Sequence, residues 1–115
     1  MRRYKVRTLI TLLRPEEGGL KHELLSPTHS LVVHVRRREG TKIRSHLFET
    51  AITTDDDEPL VPGDKDRLVT ILVTDDQASE YLQPGQHFDL WPEHDVGAAF
   101  GKNVGTGIVS QRVFV

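Results

Sequence analysis

Apolar and polar residues alternate with period two along most of this chain, and the 3.6-residue period of an amphipathic helix is nearly absent. From residue 4 to residue 13, Tyr4, Val6, Thr8, Ile10 and Leu12 share one face of an extended segment, with Lys5, Arg7, Leu9, Thr11 and Leu13 on the other. Ser30 to Arg37 alternates again, with Leu31, Val33 and Val35 in phase. Lys42 to Thr53 follows, with Ile43 and Leu47 in step and Phe48 out of step with them. Arg67 to Thr74 is a nearly continuous apolar run with β-branched bias, as expected of a strand covered on both faces. Gln86 to Trp91 and Val104 to Val115 supply a fifth and a sixth strand. Six strands at this spacing predict a single all-β domain over residues 1–115, built as a small barrel or sandwich.

The breakers between these runs set the connections. Pro15 and Gly18-Gly19 make Arg14 to Leu25 a loop, and Asp55-Asp56-Asp57-Glu58-Pro59 is an acidic, strand-breaking one. Asp75 to Glu80 suits a short helical turn that ends before Gln83-Pro84-Gly85. Gly105 and Gly107 suggest a bulge or a close backbone contact at the start of the last strand. Arg38-Glu39-Gly40 suits a three-residue hairpin with Gly40 left-handed in a G1 bulge. That register sets Leu31 opposite Leu47 and Val35 opposite Ile43, so the apolar faces coincide. On the other face it sets His34 opposite Arg44 and Arg36 opposite Lys42.

Composition narrows the class. The chain has 115 residues, enough for one core, and its 37% hydrophobic and 28% charged shares are those of an ordinary globular domain. A net charge of −2 gives no global attraction to nucleic acid or membrane, so any polyanion-binding face must be local. The absence of cysteine excludes disulfides, thiolate metal sites and thiol chemistry, and fits a reducing compartment. No run approaches the roughly 18 apolar residues of a membrane helix. Lys5, Arg7, Thr8 and Thr11 interrupt the apolar start that would otherwise read as a signal peptide. A cytoplasmic location is expected.

Three punctuated motifs then stand in order: Glu16-Glu17-Gly18-Gly19 with Lys21-His22; Leu60-Val61-Pro62-Gly63-Asp64; and Gly101-Lys102-Asn103-Val104-Gly105-Thr106-Gly107-Ile108-Val109. In that order and spacing the chain resembles the third, C-terminal β-barrel domain of bacterial elongation factor Tu, over roughly residues 6 to 113. The resemblance implies a six-stranded antiparallel Greek-key barrel without a catalytic role. In that family the barrel packs on a second barrel, touches the T-stem of aminoacyl-tRNA and meets a nucleotide-exchange partner. Two departures stand out. Pro27-Thr28-His29-Ser30-Leu31-Val32 occupies the place of the family's tRNA-contacting Gly-Tyr-Arg-Pro-Gln-Phe, and Pro92 to Phe100 is an insertion. No GTPase domain is present in the sequence, so no GTP-driven cycle is expected of this chain alone.

Chemical motifs are sparse. Gly101-Lys102 through Gly107 lacks the order of a phosphate loop and leads into a strand, so it reads as a turn and no nucleotide is expected. The six histidines, His22, His29, His34, His46, His87 and His94, show no metal-ligand spacing, and the acidic run lacks the alternation of a calcium loop. No GxSxG nucleophile elbow occurs. No cofactor and no enzymatic activity are therefore expected. The alternative is a loop-borne, metal-assisted enzyme or ligand-binding barrel built on converging histidines and acids.

What remains is the second hairpin, where Arg36, Arg37, Arg38, Lys42 and Arg44 stand against Glu39 alone. In the register above, several of these share an outward face with His34 and His46. Such a face suits phosphates or an acidic protein, although a charged hairpin also guards a sheet edge. Trp91 and Phe100 bracket the insertion, and an exposed Trp there suits a protein anchor, while a buried one completes the core. The expected function is a non-catalytic binding module, with a protein partner favoured over RNA and no membrane. Self-pairing through a barrel face is the third possibility.

Overall fold

The protein's structure is a computed structural model that describes residues 3–93 and 102–114, the last three through their backbone. The strands are β1 (Tyr4–Leu12), β2 (Leu31–Glu39), β3 (Lys42–Glu49), β4 (Ala51–Thr54), β5 (Arg67–Val73), β6 (His87–Pro92) and β7 (Gly105–Phe114). A one-turn helix α1 (Ala78–Tyr81) and a 3-10 turn at Pro15–Glu17 complete the regular elements among the described residues. The seven strands form one curled antiparallel sheet in the order β3-β2-β6-β7-β1-β5-β4. No helix among the described residues is long and apolar enough to cross a membrane.

The predicted run Lys42 to Thr53 is divided. At Thr50 the chain leaves β2 and takes up β5 as its partner, so β3 and β4 are the two edges of the sheet yet lie one residue apart in sequence. Covalent continuity therefore holds the edges of the curl near each other. Thr50 is buried, and its hydroxyl donates to the Leu31 carbonyl at 2.9 Å, which satisfies it at this corner.

Alternation in β1 holds as read: Tyr4, Val6, Thr8, Ile10 and Leu12 are all buried. Leu31, Val33 and Val35 join them, with Ile52, Val69, Ile71, Val73, Phe88 and Leu90 closing the core. Removing such side chains from water contributes about 1.5–3 kcal/mol each and drives the curl. In β5, by contrast, only one face is fully buried. Leu68 is exposed and Leu72 half-buried, so the continuous apolar run does not mark a strand covered on both sides.

The hairpin register differs from the sequence expectation. Gly40-Thr41 is a two-residue loop, with Glu39 paired to Lys42, Arg37 to Arg44, Val35 to His46 and Val33 to Phe48. Gly40 has φ 62°, as the first central position of a type II′ turn requires. The offset from the expected register is odd, so it exchanges the faces of β3. Phe48 is buried, while Ile43 is 70% exposed and Leu47 half-buried.

Glycine at the start of β7 marks close packing. A Cβ on Gly107 would lie 2.3 Å from Cζ of Phe88, and one on Gly105 would lie 2.8 Å from the Thr11 carbonyl oxygen. The register shift of β7 falls later, opposite Arg7 and Thr8, so the bulge is not at the glycines.

The acidic loop is pinned rather than merely solvated. Arg67 reaches Asp64 at 2.7 Å, Asp56 at 3.1 Å and the Pro59 carbonyl at 3.1 Å, and Arg7 holds Asp55 at 2.6 Å.

Candidate surface on the second hairpin

β6 pairs with β2 only over Leu31 to His34, so the remainder of β2 runs past the sheet as one limb of an arm whose other limb is β3. Burial follows: beyond Val35 the residues are half-buried or exposed, and Lys42 to Ser45 are all exposed. Period two then distributes the basic side chains over both faces. Arg36 and Arg38 share the outer face with His34, Ser45 and Ile43, whereas Arg37, Lys42 and Arg44 share the inner side with Val35 and His46. The expected common face for His34 and His46 is thus corrected: the two lie on opposite sides of the ribbon.

Charge is only partly compensated along the arm. Arg36 approaches Asp89 at 3.6 Å and Arg44 reaches Glu39 at 3.0 Å. Arg37 donates to the Glu80 carbonyl at 3.5 Å. Arg38 and Lys42 have no ion-pair partner among the described residues. Exposed pairs of this kind contribute little to stability, about 0–1 kcal/mol, so the guanidinium groups remain available to a partner.

At the root of the arm each histidine is tied into the body. His46 Nε2 lies 2.8 Å from Asp75 Oδ2, and its ring rests on Phe48 and Tyr81 at centroid distances of 4.4 and 5.4 Å. Burial pushes the Asp75 carboxyl up, but the Gln77 backbone N–H and His46 together hold it below its usual range.

His34 stacks on Trp91 with ring centroids 4.1 Å apart, and its Nδ1 stands 3.7 Å from Asp89 Oδ2, an ion-pair distance too long for a hydrogen bond. Trp91 is 8% exposed, paired with Val32 on the outer face and outside the main core cluster. It is a buried side chain rather than an exposed anchor, packed on the outer face beside that cluster. Phe100, the other bracket of the insertion, lies outside the described residues, as does His94.

Burial pushes the His34 imidazole below its ordinary range; the Asp89 carboxylate opposes this, and Arg36 adds to it. The unfolded chain takes up the proton near pH 6.5, the folded one only at lower pH, so this stabilisation is present above 6.5 and is lost as pH falls through the folded value. Denaturation midpoints measured from about pH 8 to 5 should fall more steeply for the wild type than for His34→Gln. Parallel curves would show that His34 does not titrate differently on folding.

A groove of about 330 Å³ opens beside this cluster, lined by His34, Arg36, Gln86, His87, Asp89 and Thr106 among others. Its size suits a small molecule, but its walls are polar and open to solvent. Among the described residues no three His, Asp or Glu side chains converge as metal ligands; His22 and His29 are exposed in the β1–β2 connection. Neither the arm's two-sidedness nor the His34–Trp91 stack was foreseen. The shortness of the Gly40-Thr41 turn could have indicated the first. The second depends on the pairing of β2 with β6, which local sequence does not encode. Comparison with protein-family models, curated proteins and solved structures returned no match.

Proposed function

We propose that this protein is a non-catalytic binding module, akin to the third barrel domain of elongation factor Tu, that engages a protein partner through the outer half of the β2–β3 hairpin. The observation that carries this is the arm, a two-stranded ribbon beyond the sheet that is exposed throughout residues 38–45. Among the described residues its Arg38 and Lys42 lack ion-pair partners, and the half-buried Arg37 bonds only to the Glu80 carbonyl. Ile43, exposed beside Arg38 in register, adds an apolar contact at the same tip. Bases of single-stranded RNA stack on exposed aromatic rings, and Phe48, the only Phe, Tyr or Trp between residues 31 and 49, is buried, which favours protein over RNA.

The barrel part of the reading is supported by topology. With β3 and β4 taken as one bent strand, the ring runs β1, β5, β4/β3, β2, β6, β7 and back to β1. Counted that way, the first of four consecutive runs lies beside the fourth, as in a Greek key, and the count of six is the one the resemblance implies; both support the reading.

The test is recovery of partners from lysate with and without nuclease, followed by calorimetry on the recovered protein after separate purification. Wild type is expected to bind it regardless of nuclease, with at least about tenfold weaker binding for the Arg37→Glu/Arg38→Glu/Lys42→Glu variant. Recovery of RNA alone, lost on nuclease treatment, would replace the protein reading.

A further inference from the structure

We propose that the free edge of β3 takes up an extended acidic segment of another protein as an added strand, one in which acidic and apolar side chains alternate. This rests on the hairpin being the interaction surface and specifies the partner's chemistry. The hydrogen-bonding phase of the hairpin follows from its loop. In a two-residue turn the flanking pair, here Glu39 and Lys42, exchanges both backbone hydrogen bonds. The contiguous register then makes Arg37–Arg44 and Val35–His46 bonded pairs as well. Ile43, Ser45 and Leu47 therefore turn their N–H and C=O groups away from β2. No backbone partner meets them among the described residues.

The other limb differs. Gln86 Nε2 donates to the Arg36 carbonyl at 3.5 Å and partly caps that edge. β3 carries no proline, and its pairing with β2 shows no bulge, so two common ways of closing an edge are absent from it. What guards it is charge. Lys42 and Arg44 on one side, with Arg37 across from Arg44, repel a basic strand and attract an acidic one. Ile43, and Leu47 beyond it, face the opposite side. A strand laid along this edge places alternate residues beside Lys42 and Arg44 and beside Ile43, so charge complementarity and exposed apolar surface together demand the alternation.

The probe is a synthetic peptide of alternating Glu and Val, compared with a peptide of the same composition in two blocks and with oligouridylate. Each is titrated into the ¹⁵N-labelled full chain. The alternating peptide is expected to bind at least about tenfold more tightly than the block peptide and to slow hydrogen exchange at the Ile43, Ser45 and Leu47 amides. Ser45→Pro should abolish this protection, since the N–H it removes faces away from β2, with its fold checked by an unchanged amide spectrum in β1 and β5. Ile43→Glu, which leaves the backbone intact, should weaken binding about tenfold. Equal binding of both peptides without amide protection would overturn the added strand yet leave the hairpin as an acidic-protein surface. No binding of either peptide at millimolar concentration would also overturn it. Binding of oligouridylate alone would overturn both readings. Protection of the same amides without peptide, with a dimer mass in sedimentation, would give the edge to a second copy and end the proposal.

Discussion

Phe48→Ala is expected to lower the unfolding free energy by about 3–5 kcal/mol, whereas Ile43→Ala changes it by less than about 0.5 kcal/mol. The contrast arises from register. Phe48 is 1% exposed, directly across from Val33, with its ring meeting Tyr81 edge-on at 6.0 Å and His46 at 4.4 Å. Truncation leaves a cavity between three elements, and the curled sheet cannot collapse around it without breaking its hydrogen-bond ladder. Ile43 stands at the end of the arm and loses little on truncation. Urea denaturation of the two variants measures both. A large loss for Ile43→Ala with a small one for Phe48→Ala would restore the register in which Ile43 packs against Val35.

Gly107→Val is expected to cost several kcal/mol, above the usual 1–3 kcal/mol of an overpacked core, because the first added atom already overlaps Phe88. The new Cβ would stand 2.3 and 2.6 Å from two ring carbons of a side chain that is 3% exposed. Gly107 lies between Phe88 on β6 and Ile10 on β1, so neither neighbouring strand can move aside alone. In a Phe88→Leu background the same substitution should cost clearly less, a coupling that thermal unfolding of the four variants resolves. Additive losses would show that the glycine is needed for some reason other than the ring. The glycines of this turn thus have a packing role that a phosphate-loop reading would miss.

Much of the fold was legible. The buried face of β1, the inward Leu31, Val33 and Val35, the short helical turn near Ala78 and the breaks at the acidic and glycine-rich loops all follow from period two and turn chemistry. The faces of β3 were not. Judged locally, Ile43 and Leu47 outvote Phe48; the two-residue turn sets the odd offset that directs Phe48 inward, where Tyr81 from α1 packs against it. The candidate surface was legible in its residues but not in its shape. The cluster of arginines is plain in the sequence, yet its division between two faces depends on an odd offset set by the turn.

By itself, then, the sequence determined the all-β character, the strand positions apart from the break between β3 and β4, and the basic hairpin, because strand period, breakers and local charge are properties of neighbouring residues. Tertiary structure alone decided the change of partner from β2 to β5 at Thr50, the burial of Trp91 against His34 and the length of arm left free beyond β6. Each of these depends on which distant strand supplies the next hydrogen-bond ladder, and period-two alternation is equally satisfied by several partners until the core is packed.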